Sequence, residues 1–152
     1  MLIMDKIMLN YNWRHMIFRC YSDYKLKEKI CWTFYPIKKE DVDNWVDVVY
    51  GDYSRRMLVF KTDYERLLQE YVTTIYPITD PYDGTIETGF DFTSYNFIAK
   101  SDWLRIINKI EEVLQRSSQR PPWCEKEFYF NFLAWITREL EWADYIIIDC
   151  NL

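Results

Sequence analysis

The chain has 152 residues, 49% of them apolar, 28% charged and 19% aromatic, with a net charge of −5. That length buries enough surface to fold as one domain without staples, and seven Trp with thirteen Tyr exclude a disordered chain. No apolar run reaches the roughly 20 residues of a membrane-spanning helix, the start (with Asp5 and no basic region ahead of a long apolar core) does not read as a signal peptide, and the overall acidity argues against nucleic acid as the main partner.

In chain order, Arg14–Tyr21 and Lys29–Tyr35 are rich in aromatic and β-branched residues, with Ile30, Trp32 and Phe34 alternating against Cys31, Thr33 and Tyr35. Both are predicted strands, paired across the polar turn Ser22–Glu28, the second ended by Pro36. From Glu40 to Tyr50 the period changes: Val42, Trp45, Val46, Val49 and Tyr50 mark one face of a short helix that Gly51 stops. A short strand follows at Arg56–Lys61. Thr62-Asp-Tyr-Glu65 has the form of a capping box, opening a helix with Tyr64, Leu67, Leu68, Tyr71 and Ile75 on one stripe.

Pro77, Pro81 and Gly84 then punctuate a loop of about 10 residues, whose tip, Thr79–Gly84, pairs acids with Tyr82. Phe90–Ala99 is a predicted strand. Ser101 and Asp102 are placed to cap a helix with Trp103, Ile106, Ile107, Ile110, Val113 and Leu114 along its stripe. After a break at Ser117–Pro122, a last helix from about Cys124 to Ala143 sets Phe128, Phe132, Trp135, Ile136 and Leu140 on one side. Tyr145–Asp149 closes as a buried strand. There is no internal repeat. The predicted class is α+β, a single domain with a central, mostly antiparallel sheet packed by amphipathic helices.

Charge is unevenly distributed. Residues 1–39 hold eight basic and three acidic groups, +5, and residues 40–152 hold eleven and twenty-one, −10. The acids gather in two stretches with no intervening base: Glu40, Asp41, Asp43, Asp47 and Asp52, then Asp80, Asp83, Glu87 and Asp91. Such density speeds encounter with a basic partner; it equally describes a solvated surface that keeps a protein soluble. The aromatic content exceeds the needs of a core this size, so some rings are expected at the surface, where Tyr and Trp anchor binding sites.

Catalytic signals are sparse. The one histidine, His15, has no second histidine, nucleophile or orienting acid assignable to it, so no triad follows. Three glycines, Gly51, Gly84 and Gly89, form no phosphate-cradling loop. The acid pairs Asp41/Asp43 and Glu139/Glu141 are spaced i, i+2, which on a helix turns them apart. Asp80 and Asp83 lack the ligand count of a calcium loop. Cys20, Cys31, Cys124 and Cys150 form no C-x-x-C pair and are expected as reduced, mostly buried thiols. Lys25, Lys27 and Lys29 beside Tyr21, Tyr24 and Trp32 resemble a small nucleic-acid face, or an edge strand protected from aggregation. No cofactor, no metal and no catalytic residue is expected.

Asn96-Phe-Ile-Ala-Lys-Ser-Asp-Trp-Leu104, a strand entering a helix through a Lys-x-Asp-Trp step, is followed by Phe132-Leu-Ala-Trp135 and Trp142-Ala-Asp-Tyr-Ile146. Over roughly the last third of the chain this resembles the small immunity proteins of bacterial polymorphic-toxin systems, including contact-dependent growth inhibition. The resemblance implies a cytoplasmic protein that binds and blocks one cognate toxin, here a basic nuclease, with an RNase ahead of a DNase. An inhibitor of such a site needs acids for attraction and rigid aromatics for anchoring. The expected contact residues are Asp41, Asp43, Trp45, Asp47, Tyr50, Asp52 and Tyr53 in one stretch, and Asp80, Tyr82, Asp83 and Glu87 in the other. No membrane or nucleic-acid partner is expected, and self-association as a homodimer is left open. A non-catalytic adaptor or subunit with a constitutive protein interface is the alternative.

Overall fold

Alternation in the last strand organises the molecule. In Tyr145–Asp149, Ile146 and Ile148 face one apolar cluster while Ile147 faces another, as side chains on successive strand residues must. The computed structural model describes residues 16–21, 30–116 and 122–150. Its strands are β1 (Met16–Phe18), β2 (Cys31–Ile37), β3 (Met57–Phe60), β4 (Ile78–Thr79), β5 (Ile86–Glu87), β6 (Tyr95–Ala99) and β7 (Tyr145–Asp149). Its α-helices are α1 (Trp45–Gly51), α2 (Lys61–Leu67), α3 (Gln69–Val72), α4 (Lys100–Arg116) and α5 (Trp123–Glu139), with a 3₁₀ turn, Lys39–Asn44, leading into α1. The fold is α+β, as its residue pattern predicts.

The main sheet runs β1-β3-β2-β7-β6, parallel only between β1 and β3, with β4 and β5 forming a separate hairpin. β7 therefore lies between two neighbours, as expected of a run of three isoleucines. The larger cluster, on one face, joins Trp32, Phe34, Ile98, Ile146 and Ile148 of the sheet to Tyr64, Trp103, Ile106, Phe132 and Trp135 of the helices. The smaller cluster, on the opposite face, is Tyr35, Ile37, Phe97 and Ile147 under Trp45 and Val49 of α1. Two polar ties lock the larger layer: the Trp103 indole donates to the Ile146 carbonyl at 3.1 Å and the Tyr129 hydroxyl to the Leu67 carbonyl at 2.8 Å.

Several local expectations are corrected. β1 pairs with β3 and not with β2, because β3 takes the place beside β2. Pro36 lies inside β2, opposite Ile146. β3 pairs no further than Phe34, so Pro36 has a ladder on one side alone, an edge-like setting that tolerates a missing donor. The Thr62–Glu65 capping box does not form: α2 starts at Lys61, whose amide is taken by the Ile30 carbonyl at 2.9 Å. Likewise α4 starts at Lys100, its amide held by the Asp144 carbonyl at 2.9 Å, so Ser101 and Asp102 fall in the first turn. Val113, expected on the buried stripe, is exposed. The Pro77–Gly84 loop is part of the β4–β5 hairpin, and the strand predicted from Phe90 begins at Tyr95.

Candidate functional site

The first acidic stretch is held to the sheet by its apolar residues. Beyond Ile37 the chain leaves β2, and the Lys39 amide donates to the Asp144 carboxylate at 2.8 Å. Trp45 and Val49 then point down onto the smaller cluster and Val42 is buried beside them in sequence, which leaves Asp43, Val46 and Asp47 exposed, while the half-exposed Tyr50 ring lies 6.0 Å from Tyr35 of that cluster. Trp45 is 3% exposed, set edge-on against Tyr95 at 4.4 Å and Phe97 at 5.4 Å. It is a core residue and cannot reach a partner, which corrects its place among the contact residues. Tyr50 is 43% exposed, and its hydroxyl donates to the Asp149 carboxylate at 3.1 Å. Burial and the neighbouring Asp149 charge push that hydroxyl up to about 12, so it stays a donor at neutral pH.

Among the described residues, Asp43 and Asp47 have no hydrogen bond or ion pair through their carboxylates. Asp52, in contrast, accepts from the Ser54 amide at 2.9 Å and the Ser54 hydroxyl at 2.5 Å, bonds that lower its pKa. Tyr53 opens a 3₁₀ turn, Tyr53–Arg55.

Asp41 and Asp52 come together at the rim of a cleft of about 160 Å³, lined also by Tyr35, Val49, Arg55 and Trp142. The Arg55 guanidinium lies over the Trp142 ring at 4.5 Å and 3.7 Å from the Glu139 carboxylate, to which the Trp142 indole donates at 2.7 Å. Burial raises the Glu139 pKa against that indole bond and the Arg55 charge. The cleft thus mixes signs: Arg55 is engaged by Glu139, and among the described residues no three metal-ligating side chains converge.

The second acidic stretch folds differently. Gly84 takes φ of +76°, which glycine adopts without strain, at the turn between β4 and β5. The Asp80 carboxylate accepts from the Tyr82 amide at 2.8 Å, and burial raises its pKa. The Asp83 carboxylate accepts from the Thr85 amide at 3.0 Å and hydroxyl at 2.7 Å, which lowers its pKa. Asp91 does the same for Thr93, both bonds at 2.8 Å, and Glu87 accepts from the Thr85 hydroxyl at 3.3 Å. These acids shape turns before they present charge. Tyr82 and Ile86 stand out at 55% and 70% exposed.

The structure does not bring the two stretches to one layer. Trp45 and Val49 root the first in the smaller cluster, whereas Ile78 and Phe90, flanking the second, belong to the larger one on the opposite face. Of the small nucleic-acid face, Trp32 is buried in the larger cluster, and Tyr21 is bonded to Glu125 beneath the Arg66 guanidinium. Tyr24, Lys25, Lys27 and Lys29, like His15, lie outside the described residues. Sequence reasoning missed the buried acids Asp63 and Glu139 and the Arg55–Trp142 stack. Only their place beside apolar stripe positions hinted at burial.

Compared with family models, curated proteins and solved structures, the chain matches none. Among the described residues no helix is long and apolar enough to cross a membrane.

Proposed function

We propose that the protein is a cytoplasmic, non-catalytic inhibitor of the immunity type, binding a basic toxin domain, in first place an RNase, through the outer face of α1 and the turn before it. The observation that carries the reading is the combination of two exposed carboxylates, Asp43 in the 3₁₀ turn and Asp47 on α1, with a half-exposed Tyr50 whose hydroxyl is tethered to Asp149. A polyanion-binding active site is basic. Carboxylates with no internal partner steer encounter with it, and a tethered ring loses little freedom on binding. The hairpin with Tyr82 supplies a second contact of lower rank, because its acids are occupied within their own turns.

The experiment is tagged capture from source-cell lysate at low and then high salt, followed by nuclease assay of the eluted partner with and without the protein. One basic partner, released by salt and inhibited by the protein, supports the reading. Asp43→Lys with Asp47→Lys is expected to slow association with that partner about tenfold, within the range electrostatic steering spans. An unchanged association rate removes the α1 surface from the reading, and eluates without nuclease activity remove the toxin.

The adaptor reading rests on a separate observation: large apolar side chains exposed away from α1, with Trp123 74% exposed and Phe130 seven residues along the same helix face. A stable self-associated species dispersed by Trp123→Glu would favour it.

A further inference from the structure

We infer that the Asp83–Gly84 step is a latent modification site, at which Asp83 isomerises to isoaspartate through a cyclic imide while the native hairpin turn holds the reaction back. It is the chain's one Asp-Gly step. Closing the imide brings the backbone nitrogen after an aspartate onto that residue's own side-chain carbonyl carbon, and a glycine there has no side chain to obstruct the approach. Asp83, Gly84 and Thr85 are all exposed, and a Cβ placed on Gly84 would meet nothing within 4 Å. Solvent reaches the step, and packing does not shield it.

What restrains the step is the turn itself. The Gly84 amide donates to the Asp80 carbonyl at 2.8 Å, and the Asp80 amide to the Thr85 carbonyl at 2.8 Å. The Asp83 carboxylate is drawn one residue past the nitrogen it would meet, accepting from the Thr85 amide at 3.0 Å and hydroxyl at 2.7 Å. Attack therefore requires Gly84 to leave the Asp80 carbonyl and Asp83 to leave Thr85. The Thr85 bonds also hold the Asp83 carboxyl below its ordinary range, which makes the protonated form that releases water scarcer. Once the turn opens, the Gly84 nitrogen bonds to the Asp83 side-chain carbonyl carbon, and the amide proton and carboxyl hydroxyl leave as water. Water then opens the ring at either carbonyl. Breaking the new bond restores aspartate; breaking the old peptide bond gives isoaspartate, with mass unchanged and the main chain one carbon longer between Tyr82 and Ile86. Asp52 and Asp91 make the same paired bonds to Ser54 and Thr93, but Tyr53 and Phe92 follow them, so they are internal controls.

The test is to age the full chain at neutral pH, folded and in urea above its unfolding transition. Isoaspartate is then counted by methylation with an isoaspartyl methyltransferase and labelled S-adenosylmethionine, and located by peptide mapping. It is expected at Asp83, forming about tenfold faster in the unfolded chain, the factor that opening two or three exposed hydrogen bonds supplies. Thr85→Val removes the hydroxyl bond, keeps the amide bond, and is expected to speed the reaction in the folded chain about threefold. Asp83→Glu, with one methylene more to close over, is expected to remove the signal. Equal rates in the folded and unfolded chain, a Thr85→Val rate equal to the parent's, a signal that survives Asp83→Glu, or isoaspartate at Asp52 or Asp91 in place of Asp83 would each overturn the proposal.

Discussion

Replacing Trp45 by alanine removes an indole that is 3% exposed and wedged between Tyr95 and Phe97. Truncating a buried aromatic destabilises by about 3–5 kcal/mol. The two edge-to-face pairs are each worth roughly 0.5–1.5 kcal/mol beyond area, so the middle of that range or above applies. A loss of about 4 kcal/mol is expected, a large part of the net stability of roughly 5–15 kcal/mol that domains have. At about 2–4 °C per kcal/mol for this size, the thermal midpoint falls by about 8–16 °C. Urea unfolding followed by far-UV circular dichroism reads the change without relying on the fluorophore removed. Tyr50→Ala, at a half-exposed position with one hydrogen bond to Asp149, is the comparison, with an expected loss of about 1–2 kcal/mol. Trp45→Phe keeps a ring against Tyr95 and gives an intermediate loss, measurable if the alanine protein does not fold. A Trp45→Ala midpoint equivalent to within about 0.5 kcal/mol of the parent would refute the packing argument and return Trp45 to the contact surface.

Two further outcomes follow from buried polar groups. The Tyr64 hydroxyl is buried with no hydrogen-bond partner among the described residues, while its ring stacks on Phe90 at 5.2 Å. Tyr64→Phe keeps the ring and is expected to stabilise by about 1 kcal/mol in urea unfolding; a comparable loss would show that the hydroxyl is bonded. Glu139 has its pKa raised above 4.5 by burial, so the folded state holds a proton that the unfolded chain has already released. Its contribution to stability therefore falls as pH rises from about 4.5 through the raised folded value. Glu139→Gln retains an acceptor for the Trp142 indole and is expected to flatten that part of the stability–pH curve; an unaltered slope would contradict the assignment.

The helices and β7 were legible because their periodicities are strong. The stripes Trp103–Ile110 and Phe128–Leu140 are buried where the pattern puts them, and Ile146–Ile148 sits inside the sheet. Helix starts were less legible. At Lys61 and Lys100 the first amide goes to a carbonyl remote in sequence, Ile30 or Asp144, so the local cap residues are not needed. The pairing of β1 with β3 depends on long-range competition for the edge of β2 and leaves no local mark. Trp45 was legible as a helix-face residue, but its amphipathic face was read as binding surface when it seats α1 on the second face of the sheet. A helix stripe alone does not distinguish a partner's surface from the protein's own sheet.

The acids divide by a rule that the chain does carry. Asp52, Asp83 and Asp91 are each followed two residues on by Ser or Thr, and each carboxylate accepts from both the amide and the hydroxyl there. Such residues build their own turns. Asp43 and Asp47 are followed two residues on by Trp45 and Val49, which turn into the core while the carboxylates stay outside. Reversing Asp83 would therefore change a turn together with a charge, and a loss of binding there would have two readings. Reversing Asp43 and Asp47 changes charge with little change of structure; the main folding effect is the first-turn position of Asp47, where a negative charge favours the helix by about 0.3–1 kcal/mol. A pair of midpoints close to the parent, combined with slower association whose deficit shrinks as salt is added, would assign the effect to steering by α1. An equal deficit at all salt concentrations would assign it to lost contact.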